Sequence, residues 1–335
     1  MESIFIPRYF WNGTNDEVCT NTAVLVRDNR IEQIDEPEKL RLGYPEAQVL
    51  ESNDWLMMPA FVDAHDHGRG MSPISFRTPD RALEMWLQDL NKLPAIPHYQ
   101  ACYYDGMRLV SSGVGMVLHS HNPNSFAQIR EEMVAAEKGY KDAGIRSILC
   151  PLYLDQNKRI YYDRDKFISD LPEPLRTNFA AGIHDKIMNM DEYFQLVEGI
   201  CEDLADDIKA GWTEVQLHPN GGQWCSDEAL LQMKEYALEH GMYIHLHLLE
   251  TQYQAEYAKR TWGKSFIKHY KEIGFLGPWV SFAHAVWLDE EDLQLIAESG
   301  AHLITNPSSN LRLRSGIFNM QRANELGIDC GIGLD

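Results

Sequence analysis

Residues 56–68 read LMMPAFVDAHDHG. A mostly apolar stretch ends abruptly in His65, Asp66 and His67. On a β-strand, residues two apart share a face, so both imidazoles point the same way at the strand's end. Alone, such an H-x-H pair is either a polar cap on a strand or part of a metal ligand set. The rest of the chain has to decide between them.

Downstream, further apolar runs recur with helical stretches between them. They are VGMVLHSH, IRSILCPLYL, TEVQLHP, YIHLHLL, WVSFAHA, AHLITNP and IDCGIGLD. Segments such as NSFAQIREEMVAAEKGYKDAG, DEYFQLVEGICEDLADDIKAG and SDEALLQMKEYALEHG carry apolar residues three and four apart. Each closes on glycine, a helix stop signal, and Ser226 is placed to cap the last of them. Eight strands alternating with helices predict an α/β fold, a (β/α)8 TIM-like barrel, over residues 56–335. An open doubly wound sheet would predict a Gly-rich phosphate loop, and neither G-x-G-x-x-G nor G-x-x-x-x-G-K-[ST] occurs. Residues 1–55 read instead as short strands, with a turn at Asp28-Asn29 joining two of them.

Thirty basic against fifty acidic residues leave a formal charge of −20. That balance argues against nucleic acid or an anionic membrane as partner, since both reward basic patches. No apolar run reaches the roughly 18 residues of a membrane helix. The six cysteines are scattered without a C-x-x-C pair, which fits reduced thiols and a cytoplasmic protein.

In a barrel of this kind, catalytic groups sit at the C-terminal ends of strands. His65 and His67 end the first strand, His119 and His121 the second, and His218 the fourth. His247 ends the fifth with Glu250 three residues on, His284 ends the sixth, and Asp335 ends the eighth. So many polar side chains would be costly in an ordinary apolar core. Three imidazoles and a carboxylate suit one divalent ion, Zn²⁺ first and Fe²⁺ second, with a coordination position left for water. Such an ion makes water nucleophilic at neutral pH. Glu250 is placed to shuttle protons, His284 to steady the attacking or attacked group, and Asp335 to bind the ion and accept a proton. His245, one layer deeper, reads as a hydrogen-bonded core histidine. His98, His184, His240, His269 and His302 read as ordinary.

The motifs PAFVDAHDH, HLHLLET, SFAHAVWL, NPSSNLRLRSG and GIGLD, in this order, resemble the amidohydrolase superfamily over essentially the whole chain. The sequence is most similar to the branch of cytosine and guanine deaminases, S-adenosylhomocysteine deaminase and triazine chlorohydrolases. That resemblance implies a metal set of His65, His67, His247 and Asp335, with Glu250 and His284 in catalysis. It implies a small β-sandwich portion at 1–55 and a homodimer or larger assembly. Because TEVQLHPN carries no lysine to bridge two ions, it implies a single metal. Members of the family continue past the Asp of the eighth strand, so the resemblance implies a chain truncated at that strand, without the partner strands of the sandwich.

The expected reaction on a small-molecule substrate is hydrolytic deamination of a purine, pyrimidine, pterin or triazine. The alternatives are loss of chloride or alkylamine, or cyclic amide hydrolysis, at the same site. A non-catalytic barrel used as a binding module is a third reading. Trp86, His119, His121, Gln223, Trp224, Trp287 and Asn310 are the pocket candidates. Trp86 can equally be a helix core residue, Asn310 a loop stabiliser, and His119, His121 and His218 members of a structural polar network.

Overall fold

The computed structural model describes residues 2–14, 16–90, 92–156, 161, 163–181 and 188–335. His184 lies outside them. The chain divides between Phe61 and Val62 into two compact units.

In the first unit β1 (Glu2–Phe10) pairs antiparallel with β2 (Ala23–Arg27), and β2 antiparallel with β3 (Arg30–Asp35). After α1 (Pro37–Gly43), β4 (Gln48–Met57) joins β1 in parallel, giving the order β3-β2-β1-β4. Asp28 and Asn29 both have positive φ, 49° and 64°, as a two-residue type I′ hairpin requires. Alternate side chains Ile4 and Ile6 of β1 meet Ala23, Leu25 and Leu40 in a small core. Leu40 belongs to α1, a helix absent from the sequence reading of this region; Pro37 at its start presets the helical φ.

The second unit begins one residue into β5 (Phe61–Asp66) and goes on through α2 (Leu83–Leu90), α3 (His98–Ser111), β6 (Val114–Ser120), α4 (Ile129–Ala143), β7 (Arg146–Cys150) and β8 (Leu152–Tyr153). It continues through α5 (Arg164–Asp170), α6 (Leu175–Ala181), α7 (Met190–Asp203), α8 (Ala205–Ala210), β9 (Thr213–Val215), β10 (His218–Pro219), α9 (Asp227–His240) and β11 (Ile244–Leu248). It ends with α10 (Gln252–Trp262), α11 (Phe266–Glu272), β12 (Val280–His284), α12 (Glu290–Ser299), β13 (His302–Thr305), α13 (Pro307–Arg312), α14 (Met320–Glu325) and β14 (Cys330–Ile332). This is an α/β arrangement with parallel pairing: β6 with β7, β7 with β9, β8 with β10, and β11 through β14 in order. Leu217 bridges in parallel to Ile244, and the Asp335 N–H donates to the His65 carbonyl. The main core lies among these elements, with Tyr193, Tyr270, Phe266 and Phe282 among its fully buried side chains.

Prolines account for two departures from the expected strands. LMMPAFVDA is not one strand: β4 stops at Met57 and β5 starts at Phe61, with Pro59 between. IRSILCPLYL is likewise cut at Pro151 into β7 and β8. Proline has no N–H to give a ladder, so pairing lapses there. Helices α4, α8 and α9 stop at the expected glycines, Gly144, Gly211 and Gly241 taking left-handed φ of 87°, 76° and 65°, but the helix expected to run up to Gly211 is two, α7 and α8, parting at Leu204. Ser226 caps α9 by accepting from the Ala229 N–H at 3.2 Å.

Helices α3 and α4 approach so closely at Gly139 that any larger residue is excluded. A Cβ there would lie 2.6 Å from the Tyr99 carbonyl and 2.9 Å from the Tyr103 nitrogen, both rigid helix backbone. Gly139→Ala is therefore expected to destabilise by about 1–3 kcal/mol, although alanine is the better helix former by about 1 kcal/mol. A urea midpoint equal to or above the parent's would refute this packing account.

Candidate active site and metal centre

The C-terminal ends of the parallel strands bring His65, His67, His247 and Asp335 together, with one donor atom from each within 4.8 Å of the others. Asp335 Oδ1 lies 2.9 Å from His67 Nε2 and 3.3 Å from His65 Nε2. His67 Nε2 and His247 Nε2 are 3.4 Å apart.

The outer nitrogens reveal which way these rings are protonated. His67 Nδ1 is 2.7 Å from the Ser120 carbonyl, and His247 Nδ1 is 2.5 Å from the Asn220 carbonyl. A carbonyl only accepts, so each Nδ1 carries the hydrogen and each Nε2 is a bare lone pair. Burial also holds both rings below their usual pKa, in the neutral form. Two lone pairs thus face each other across 3.4 Å, while the buried His65 Nε2 has no hydrogen-bond partner. A tetrahedral ion with ligands at about 2.0–2.1 Å would hold them roughly 3.3–3.4 Å apart. The residues fit a divalent cation.

The supporting contacts follow the pattern of oriented metal ligands. His65 Nδ1 lies 2.8 Å from His245 Nε2, and His245 Nδ1 lies 2.7 Å from Ser281 Oγ, so His245 props His65 from below. Ser309 Oγ donates to Asp335 Oδ2. His218, between Ser120 Oγ and the His245 carbonyl, belongs to the same scaffold.

Beside this cluster stands a second pair. Glu250, 3% exposed, has Oε2 3.6 Å from His284 Nε2. Burial pushes the Glu250 carboxyl up to about 7; Asp335 and Glu84 add to that, and His284 opposes it. Burial alone would lower His284, yet the neighbouring Glu250 and Asp335 charges outweigh it and raise its pKa. Its Nδ1 donates to Asn310 Oδ1 at 2.9 Å, leaving Nε2 toward the site. His284 and Ala285 both have positive φ, 73° and 49°, a strained corner that aims the imidazole.

A cavity of about 500 Å³ opens onto these groups, lined on the polar side by His67, Asn220, His247, Glu250, His284 and Asp335. Its apolar wall includes Leu83, Trp86, Leu87, Leu90, Leu93 and Ile96.

Of the seven pocket candidates, Trp86 and Trp224 lie in this lining and the other five do not. His119 and His121 are fully buried in a network with Tyr140 and Glu132. Gln223 is buried and donates to the Tyr161 hydroxyl at 3.1 Å. Asn310 is buried as the partner of His284. Trp287 is 41% exposed with its indole N–H on the Ser315 carbonyl, because the corner at His284-Ala285 turns the chain before it. Sequence reasoning missed Arg69, which lines the cavity with its guanidinium 5.4 Å from the Trp86 ring. Its place two residues past His67 was the available signal. Asn306, whose Nδ2 lies 3.3 Å from His284 Nδ1, carried no signal beyond the motif around it.

Residues 56–335 match the amidohydrolase family. The chain belongs to this family. Among curated relatives, it is 26% identical over 320 residues to the 5'-deoxyadenosine deaminase of Methanosarcina barkeri, covering 94% of this chain and 64% of that protein. It is 27% identical to the 5-methylthioadenosine/S-adenosylhomocysteine deaminase of Thermococcus onnurineus, covering 98% and 68% respectively. The chain thus spans about two thirds of the length of these relatives. Among solved structures, an adenosine deaminase from Xanthomonas campestris with bound zinc superposes with a TM-score of 0.76 at 19% identity, covering 99% of this chain and 69% of that one. At that identity the likeness establishes the fold.

Proposed function

We propose that this amidohydrolase removes an amino group from a nitrogen heterocycle by hydrolysis, using one divalent ion, zinc first, held by His65, His67, His247 and Asp335. The observation that carries the reading is a buried, protonatable carboxyl, Glu250, beside a cluster of bare imidazole nitrogens and a carboxylate. When bound, the ion supplies a water acidic enough to attack at neutral pH. Glu250, with a pKa about 7, is poised both to give and to take a proton near neutrality. It protonates the ring nitrogen next to the carbon that gains the water oxygen. His284, held by Asn310 and facing Glu250 across 3.6 Å, orients the incoming oxygen. A proton passed through Asp335 to the amino nitrogen lets the carbon–nitrogen bond break, releasing ammonia and leaving a ring carbonyl.

The cavity, at about 500 Å³, falls within the range for small-molecule sites. Its apolar wall with Trp86 offers a stacking face for a flat heterocycle. The adenosine derivatives named for the relatives make an aminopurine the first class to try. The fold underlying this reading is a closed (β/α)8 barrel from residue 56, following a small β-sandwich portion at 1–55. The Leu217–Ile244 bridge and the Asp335-to-His65 backbone bond support closure. Six free cysteines support a reducing compartment, the cytoplasm. Among the described residues no helix is long and apolar enough to cross a membrane. The family resemblance supports a homodimer or larger assembly.

The test is ammonia release by zinc-loaded protein from aminopurine nucleosides, free aminopurines, aminopyrimidines, pterins and aminotriazines. Turnover of one class supports the reading. Chloride or alkylamine release from triazines without ammonia would replace the leaving group. Bound ion with no hydrolysis of any member would overturn an enzymatic role.

A further inference from the structure

Three other histidines meet in the wall of the same unit, away from the four-residue cluster. His98 is the first residue of α3 and lines the cavity, His119 lies within β6, and His121 follows that strand. One ring nitrogen of each comes within 4.8 Å of the others. Glu132 of α4 stands beside them, its Oε2 3.0 Å from His121 Nε2. Separately in the sequence, His98 reads as ordinary and the other two as pocket contacts or parts of a polar network; the fold makes them one group.

The protonation pattern again narrows what the group can do. Glu132 is fixed independently of the histidines, accepting from the Asn124 and Ser125 N–H groups at 3.1 and 3.0 Å. Its carboxylate takes the His121 Nε2 hydrogen, so His121 Nδ1 is a bare lone pair. His119 Nε2 lies 3.1 Å from that lone pair, while His119 Nδ1 sits 3.1 Å from the Tyr140 hydroxyl. A plain hydrogen-bond chain, Tyr140 to His119 to His121 to Glu132, could account for those three contacts. It does not account for His98. Its Nε2 is buried without a hydrogen-bond partner, 3.3 Å from a Glu132 oxygen but out of line with it. A buried ring nitrogen left over at the meeting point of two others is what a cation would take up. The 3.1 Å between His119 Nε2 and His121 Nδ1 is close to the ~3.3 Å between ligands of a tetrahedral ion. Glu132 behind His121, and Tyr140 behind His119, then play the part of the outer groups that hold ligating imidazoles in orientation.

We propose that His98, His119 and His121 form a second site for a nitrogen-preferring divalent ion such as Zn²⁺ or Co²⁺, backed by Glu132. This exceeds the single ion that the family resemblance implies, and it does not rest on the deaminase reading. An ion here ties the first residue of α3 to the end of β6, and so steadies the cavity wall at His98.

Metal counting tests it without reference to activity. The full chain is stripped with dipicolinate, reloaded with Zn²⁺ or Co²⁺, freed of excess, and analysed for metal per chain. Two ions are expected in the parent, one in His98→Ala, one in His247→Ala, and none in the double variant. Co²⁺-loaded His247→Ala should keep visible d–d bands that disappear when His98 is also replaced. His121→Gln serves in place of His98→Ala if the latter misfolds by circular dichroism. One ion in the parent and none in folded His247→Ala would overturn the proposal and leave the histidines as a hydrogen-bond chain. Two ions unaffected by either His98→Ala or His121→Gln would overturn it equally.

Discussion

Glu250→Gln is expected to lower kcat for ammonia release by about two to four orders of magnitude, the usual worth of a positioned general acid–base, while metal content stays at the parent level. Glutamine has the same shape and can keep the contact with Ser315 Oγ, which lies 3.4 Å from Glu250 Oε1. The backbone N–H of residue 250 still donates to Gln254, so the loop is not disturbed. What is lost is the capacity to exchange a proton, in a carboxyl that burial has tuned to about 7. The folded state should be no less stable, since the change removes a buried ionisable group. Parent-like kcat in a metal-replete Glu250→Gln protein would sink the assignment of this residue. A loss of both metal and activity would relocate its role to binding.

His247→Ala is expected to cost the chain one ion relative to the parent and to abolish turnover. Its Nε2 faces His67 Nε2 at 3.4 Å and its Nδ1–H is anchored on the Asn220 carbonyl, so the substitution removes a lone pair already held toward the cluster. Changing a group that merely orients a ligand costs about 10–100-fold in affinity or activity, and deleting a ligand should exceed that. Elemental analysis of both proteins decides the matter. Unchanged metal content would remove His247 from the ligand set and leave the convergent lone pairs unexplained.

The clustering of the four proposed ligands was readable in the sequence because its members sit at strand ends, where two-residue periodicity holds. His65 and His67 share a face by that rule. Glu250 follows within three residues of His247, close enough for its position to be inferred. Legibility fails where the chain leaves regular structure or where tertiary packing chooses the neighbours. Trp287 comes after two left-handed residues, so the strand's periodicity no longer says where it points. The cavity's apolar wall includes Leu83, Leu87 and Leu90 of α2, which read as any amphipathic helix until the fold sets them over the site. His98 carried no local pattern at all; only packing brings it to His119 and His121. Strand breaks at Pro59 and Pro151 were, by contrast, visible in principle, since proline cannot pair there.

The bond from the Asp335 N–H to the His65 carbonyl, and the one from the Leu334 N–H to the Asp63 carboxylate, join residues 270 and 271 positions apart. The proposed ligands at 65, 67, 247 and 335 therefore cannot assemble until nearly the whole second unit has closed its most distant contacts. Such contacts are slow to form, because loop closure precedes any reward. An ion that needs all four groups gains nothing from partly folded chains, and its binding energy is added only to the finished state. Added Zn²⁺ should leave the refolding rate alone and slow unfolding, so that metal supply governs the lifetime of the folded protein more than its birth.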